Sequence, residues 1–199
     1  MRRVVLATGN AGKLAEMRAI LAGHDLEVIP QGKFGITPPV EDGASFIANA
    51  LIKAHHAAAQ AGLPAIADDS GLEVDALDGR PGLHSARYAG PAASGRANNE
   101  LLLAELAGTP DGRRGARYRC AMVFVRHAAD PLPVIAEASW EGRIGREPRG
   151  AGGFGFDPLF IVDGDSRTAA ELSAGEKNRV SHRGQALLAL AARMREAGW

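Results

Sequence analysis

The sequence predicts an α/β fold built on a mixed β-sheet with helices on its faces. Three observations carry that expectation. Short apolar runs alternate with amphipathic helical segments over the first part of the chain, and a long hairpin pattern follows. No repeat, low-complexity tract or long linker interrupts the 199 residues, so residues 1–199 are expected to form a single domain. The hairpin argues against a purely parallel sheet.

Taken in order, Val4 to Ala7 is a buried strand, and Thr8-Gly9-Asn10-Ala11-Gly12-Lys13 is a loop leading into a helix. That helix carries Leu14, Met17 and Leu21 on one face and stops at Gly23. Leu26 to Ile29 is a second strand, and the Pro- and Gly-rich stretch Pro30 to Gly43 is loop. Ser45 caps a helix with Phe46, Ala50, Ala54, Ala57 and Ala61 at helical spacing, ended by Gly62. Ala65 to Ala67 is a strand expected to close at Asp68-Asp69, with Leu72 to Leu77 a separate short strand. Ser94 to Ala107 is a helix. Arg117 to Arg126 alternates, with Tyr118, Cys120, Met122 and Phe124 on one side. A turn at Asp130-Pro131-Leu132-Pro133 joins it to Val134 to Trp140. Leu159 to Val162 is the last strand, Thr168 to Glu171 has capping-box form and opens a short helix, and Ser181 caps the final helix.

Composition narrows the function classes. Twenty-three basic and 23 acidic residues give a formal net charge of zero, so neither general nucleic-acid binding nor attachment to acidic membranes is expected. Cys120 is the only cysteine, which fits a reducing compartment. The apolar run after Met1-Arg2-Arg3 is too short for a signal peptide, and no stretch is long enough to span a membrane, so a cytoplasmic location is expected.

The chemistry concentrates in four places. In Thr8 to Lys13, glycines, backbone N–H groups at a helix start and a lysine suit a phosphate, although Leu14 excludes a Walker loop; the plain alternative is a turn capped by Asn10. Adjacent Asp68 and Asp69 suit a hard divalent cation shared with substrate phosphate, against the plain alternative of an Asx-turn before Gly71. Glu41 and Asp42 could add a ligand, while Asn49, Lys53 and His56 form a helical stripe of the kind usually exposed. Gly150 to Gly155 matches G-x-G-x-x-G, but a strand follows it where a dinucleotide site needs a helix. It is better read as a loop presenting Phe154 and Phe156 for stacking on a base, with at least one ring going to the core. Finally, Lys177, Arg179, His182 and Arg183 supply the cations that the acid pair requires.

The motifs "TGNAGK", "ADDSGLEVDALDGRPGLHSARYAG", "GGFGFDPLF" and "EKNRVSHRGQAL" stand together in the order and spacing of the inosine triphosphate pyrophosphatase family. The chain resembles that family from Val4 to about Leu190. The resemblance implies an elongated mixed sheet in two lobes with a central active-site cleft, and usually a homodimer. It implies a Mg²⁺-dependent hydrolase that converts noncanonical purine nucleoside triphosphates (ITP, dITP, XTP) to monophosphate and pyrophosphate. Carried over residue by residue, Thr8, Gly9, Asn10, Ala11, Gly12 and Lys13 hold the triphosphate; Lys53 is a further cation suggested by the residues themselves. Asp69 is general base and metal ligand, with Asp68 and Glu41 as further ligand candidates. Ser70 touches substrate, Phe154, Gly155, Phe156 and Asp157 cover the base, and Lys177, His182 and Arg183 complete the site.

The chain departs from the pattern in places. Many relatives have consecutive glutamates and then Thr-Gly where this chain has Val40-Glu41-Asp42-Gly43, and His84 and Phe156 stand where tyrosine is common. Two other readings compete with this one: a nucleotide sensor without turnover, and a pyrophosphatase for pyrimidine nucleotides. The favoured reading requires residues between positions 8 and 183 to converge on one magnesium-charged nucleotide.

Overall fold

A computed structural model describes residues 1–199. Six strands form one sheet in the order β2-β1-β3-β4-β5-β6: β1 (Arg2–Leu6), β2 (Leu26–Pro30), β3 (Ala65–Val74), β4 (Gly115–Val125), β5 (Val134–Ile144) and β6 (Phe160–Val162). β1 runs parallel to β2 and β3, whereas β5 and β6 are antiparallel, so the sheet is mixed as expected. The helices are α1 (Ala11–Leu21), α2 (Phe46–Ala61), α3 (Gly95–Glu105), α4 (Ala174–Val180) and α5 (His182–Glu196). No helix is long and apolar enough to cross a membrane.

The chain divides into two compact units, each assembled from separated stretches. The first comprises Met1–Asp69, Cys120–Ala138 and Arg183–Trp199; the second comprises Ser70–Arg119 and Ser139–His182. In the first unit the strands bury both faces. Val4, Leu6, Ile66, Cys120, Met122 and Phe124 pack with Met17 and Leu21 of α1 and with Leu187 and Leu190 of α5. Val5, Ala7, Ala65, Ala67 and Val123 pack against the alanine face of α2, formed by Ala50, Ala54, Ala57 and Ala58. Small side chains let that helix lie close to the strands, and the alternation of strand side chains assigns each residue to its layer. The second unit has its own core, with Leu72, Val74, Leu102, Tyr118, Trp140, Phe156, Leu159 and Phe160 among its buried residues.

Three expectations require correction. β3 does not end at the acid pair; it continues through Asp68 and Asp69 to Val74. A strand can carry two adjacent acids when alternation sends them to opposite faces and cations meet each one, as described below. Thr168 opens only a 3₁₀ turn (Ala169–Glu171), in which the Glu171 carboxylate accepts the Thr168 N–H at 2.7 Å. The next capping box, Ser173 with Glu176, starts α4. Within the expected loop 30–43, Gln31–Phe34 forms a 3₁₀ turn.

Gly71 fixes how the second half of β3 meets its neighbours. A Cβ there would collide with the Gly82 carbonyl oxygen and stand 2.7 Å from Ser85 Oγ. Ser85 Oγ accepts the Leu72 N–H at 2.8 Å and donates to that same carbonyl at 2.6 Å. Backbone atoms cannot step aside as a flexible side chain can, so Gly71→Ala is expected to cost about 1–3 kcal/mol. Thermal unfolding of the variant checks this, and an unchanged Tm would refute it.

Candidate active site

In the first unit, strand geometry sorts the acids. Asp68 shares a face of β3 with Ile66, and Asp69 shares the other with Ala65 and Ala67. Asp68 therefore meets α1 and α5. Lys13 Nζ stands 2.8 Å from Asp68 Oδ2, and Arg183 Nε stands 3.3 Å from the same oxygen. Arg183 Nη1 also bonds Glu16 Oε2 at 2.6 Å. Burial alone would raise the Asp68 pKa, but Lys13, Arg183 and Lys53 outweigh it and hold the carboxyl well below its ordinary range. Burial likewise works against the Arg183 cation, and Asp68 reverses that effect with help from Glu16, so the guanidinium keeps its proton. Arg183 is thus one of the cations that the acid pair requires, as expected, and it is engaged with acids inside the unit.

Asp69 meets α2 instead. Lys53 Nζ donates to Asp69 Oδ1 at 3.0 Å and to Glu41 Oε2 at 2.9 Å, and Asn49 Nδ2 donates to Asp69 Oδ2 at 3.1 Å. Asn49 and Lys53 are four residues apart and share one helix face. Both are buried, which overturns the expectation of an exposed stripe. His56, the third member of that stripe, is half-buried, with its ring Nε2 2.9 Å from the Thr37 carbonyl. Asn49 Oδ1 also accepts the Gly43 N–H at 2.8 Å, which ties the loop carrying Glu41 to the start of α2. A Cβ at Gly43 would stand 2.7 Å from that same oxygen, so glycine permits the approach. Burial raises the Asp69 pKa above its ordinary value, and Lys53 and Lys13 only partly offset it. Lys53 gains charge stabilisation from Asp68, Asp69 and Glu41 that outweighs its own burial, so it remains a firm cation.

The loop before α1 takes the form of the plain alternative. Asn10 caps the helix by accepting the Lys13 N–H at 3.1 Å, and Thr8 Oγ1 accepts the Asn10 N–H at 3.2 Å. Gly9, Asn10 and Ala11 are exposed, while Thr8, Gly12 and Lys13 are half-buried. The carboxylates therefore fall into two sets: Glu41 with Asp69 on one ammonium, and Asp68 with Lys13 and Arg183. No three His, Cys, Asp or Glu side chains form a group that would by itself hold a metal ion. Two carboxylates brought together on Lys53 still fit Mg²⁺, which keeps several waters and takes phosphate oxygens as its remaining ligands.

The second unit gathers the other candidates. Asp157 is buried, and its Oδ2 accepts the Phe154 N–H at 2.8 Å and the Lys177 ammonium at 2.5 Å. Its Oδ1 accepts the Tyr118 hydroxyl at 3.1 Å. Gly153 has φ +68°, and a Cβ there would strike the Asp157 carboxylate, so this turn requires glycine. Lys177 also lies 4.8 Å from the centre of the half-buried Phe154 ring. Phe156 is the ring committed to the core, set edge-on to Tyr88 at 6.5 Å. Gly155 is exposed with its carbonyl held by Asn99 Nδ2 at 3.1 Å, and Ser70 is half-buried in β3. The His182 imidazole is buried and lies parallel to the Tyr118 ring, 4.6 Å between centres. As expected, no helix follows the glycine-rich loop directly.

Glu16, Asn99 and Tyr118 lie outside the motifs that the sequence displays, and Asn49 stands in what reads as an exposed stripe. Glu16 had a signal, because it lies three residues after Lys13 on one helix face. Asn99 had none, since its partner is 56 positions away.

A mixed α/β sheet whose third strand carries two buried acids held by lysines is an arrangement that suits phosphate and metal chemistry. Residues 4–193 match the Ham1 family, and the chain belongs to that family. It is 60% identical over 194 residues to the dITP/XTP pyrophosphatase of Methylococcus capsulatus, covering 98% of this chain and 96% of that protein. It is 52% identical over 187 residues to the dITP/XTP pyrophosphatase of Escherichia coli O157:H7, covering 94% and 95%. Among solved structures, a HAM1 protein from Coxiella burnetii superposes with a TM-score of 0.90 at 46% identity, covering 98% of this chain and all of that one. The Staphylococcus aureus Ham1 protein gives 0.85 at 35% identity with the same coverage. The resemblance noted from the motifs is borne out.

Proposed function

We propose that the protein hydrolyses dITP, XTP and ITP to the monophosphate and pyrophosphate. The observation that carries the reaction is the division of labour on β3. Asp68 is clamped by Lys13 and Arg183, whereas Asp69 shares the Lys53 ammonium with Glu41 and is the acid left to serve as the base. The substrate class rests on the relatives, which are dITP/XTP pyrophosphatases over nearly their whole length.

Asp69 accepts a proton from the water that attacks the α-phosphorus. The bond to the β-phosphate oxygen breaks, and pyrophosphate leaves with its charge offset by Lys13 and Lys53. Orientation and charge stabilisation do most of the work in such a transfer. Glu41 and Asp69 would hold Mg²⁺, which when bound lowers the pKa of water and neutralises phosphate charge. Thr8 to Gly12 would receive phosphate oxygens, with Ser70 as a further contact. In the second unit, Phe154 stacks on the base, and Lys177 and His182 donate to the purine 6-carbonyl. Adenine offers an amino group at that position and leaves buried donors unpaired, which gives strong discrimination. A homodimer belongs to the same reading and rests on the family resemblance, and a cytoplasmic location is supported by the single buried cysteine.

The test is direct. The protein is incubated with dITP, XTP, ITP, ATP, GTP and pyrimidine triphosphates, with and without Mg²⁺, and products are identified by chromatography. Monophosphate with pyrophosphate from the first three and not from ATP, only with Mg²⁺, is expected. Diphosphate with phosphate would mean attack at another phosphorus, and binding without products would make the protein a sensor.

A further inference from the structure

Tyr118 touches two of the residues assigned to the base. On β4 it lies on the face with Cys120 and Met122, almost fully buried. Its ring lies flat on the His182 imidazole, 4.6 Å between centres and 7° from parallel, and Phe160 tilts against it at 4.7 Å. Its hydroxyl donates to Asp157 Oδ1, while Asp157 Oδ2 holds Phe154 and Lys177. We propose that Tyr118 is a positioning residue for purine selectivity, coupling the plane of His182 to the Phe154 loop through Asp157. The inference rests on the assignment of these second-unit residues to the base.

A buried carboxylate oxygen that loses its donor is costly, so without the Tyr118 hydroxyl Asp157 must rotate or draw in water. Either response disturbs Oδ2, on which the Phe154 N–H and Lys177 depend. Separately, a stacked ring fixes the plane in which the imidazole nitrogens point, and donors discriminate between bases only as sharply as their directions are held. Tyr118→Phe keeps the stack and removes the hydroxyl, and Tyr118→Leu removes both.

Two measurements on the full-length variants test this. The first is amide hydrogen exchange over residues 150–157, with β1 as internal reference. The second is kcat/KM for dITP against dATP. For Tyr118→Phe, exchange in 150–157 is expected to rise about tenfold while β1 is unchanged, as befits a lost hydrogen bond to a charged group. The dITP to dATP ratio is expected to fall about tenfold, through KM more than kcat. Tyr118→Leu should reduce the ratio further; if it does not fold, Tyr118→Phe alone decides. Unchanged exchange and an unchanged ratio, whatever happens to Tm, would reduce Tyr118 to a core residue and overturn the proposal. A wild-type protein that turns over neither nucleotide would overturn the substrate assignment and the selectivity role together, and the exchange comparison would still decide the coupling.

Discussion

Asp69→Asn is expected to lower kcat on dITP by at least about a hundredfold, the usual scale for a lost general base, while leaving the fold intact. The substitution preserves shape and still offers an oxygen to Lys53, which also keeps its bond to Glu41. The amide NH2 in place of Oδ2 cannot accept from Asn49 Nδ2, a loss of about 1 kcal/mol, and linkage supplies an opposing gain, so stability should change little. Burial raises the Asp69 pKa above its unfolded value of about 3.9, so the folded state binds that proton more tightly. Stability contributed by this group is greatest below the unfolded pKa and falls as pH rises through the folded one. At neutral pH the wild type therefore carries a charge that burial disfavours, and the amide relieves it. Turnover and Tm measured side by side check both statements. Near-normal turnover would remove Asp69 from the reaction, and a large fall in Tm would recast it as a structural acid.

The fold was largely legible because its elements advertise themselves locally. Ser45 caps α2 by accepting the Ala48 N–H, and Gly62 ends the helix in the left-handed conformation. The alternation in β4 divides its residues between two layers: Cys120, Met122 and Phe124 go to one, and Val123 and Val125 to the other. What misled was the acid pair. Read along the chain, Asp68-Asp69 looks like a strand end, because adjacent charges are costly in a buried strand. The cations that remove that cost, Lys13, Lys53 and Arg183, arrive from three separate helices. The site shows the same division. Residue types at motif positions were readable, whereas their partners were not. Nothing in the spacing tells that Arg183 faces Asp68 and Glu16, or that Glu41 and Asp69 share an ammonium. The aromatic pair illustrates the limit, since only packing assigns Phe156 to the core and leaves Phe154 half-buried under Lys177.

Asp68→Ala should behave in the opposite way to Asp69→Asn, losing stability of about 3–5 kcal/mol, the range for breaking a buried ion pair from one side. Arg183 is almost fully buried, and without Asp68 its Nε loses a carboxylate while Glu16 stays on Nη1. Cys120 cannot replace the lost charge, because burial pushes its thiol up to about 12 and keeps it neutral. For a chain of this length the fall in Tm should be roughly 10 °C. The pH dependence provides a second check with a definite sign. The native Asp68 pKa is depressed, so its contribution is present above the unfolded value of about 3.9 and is lost as pH falls toward the native one. The gap in Tm between wild type and variant should thus be full at pH 7 and narrow in acid. Lys13 loses its tether in the same variant, so KM for dITP should rise as its ammonium becomes mobile. If Asp68→Ala instead keeps the wild-type Tm at pH 7, the cations do not depend on this carboxylate. Asp68 would then rejoin Glu41 and Asp69 as a candidate for the metal.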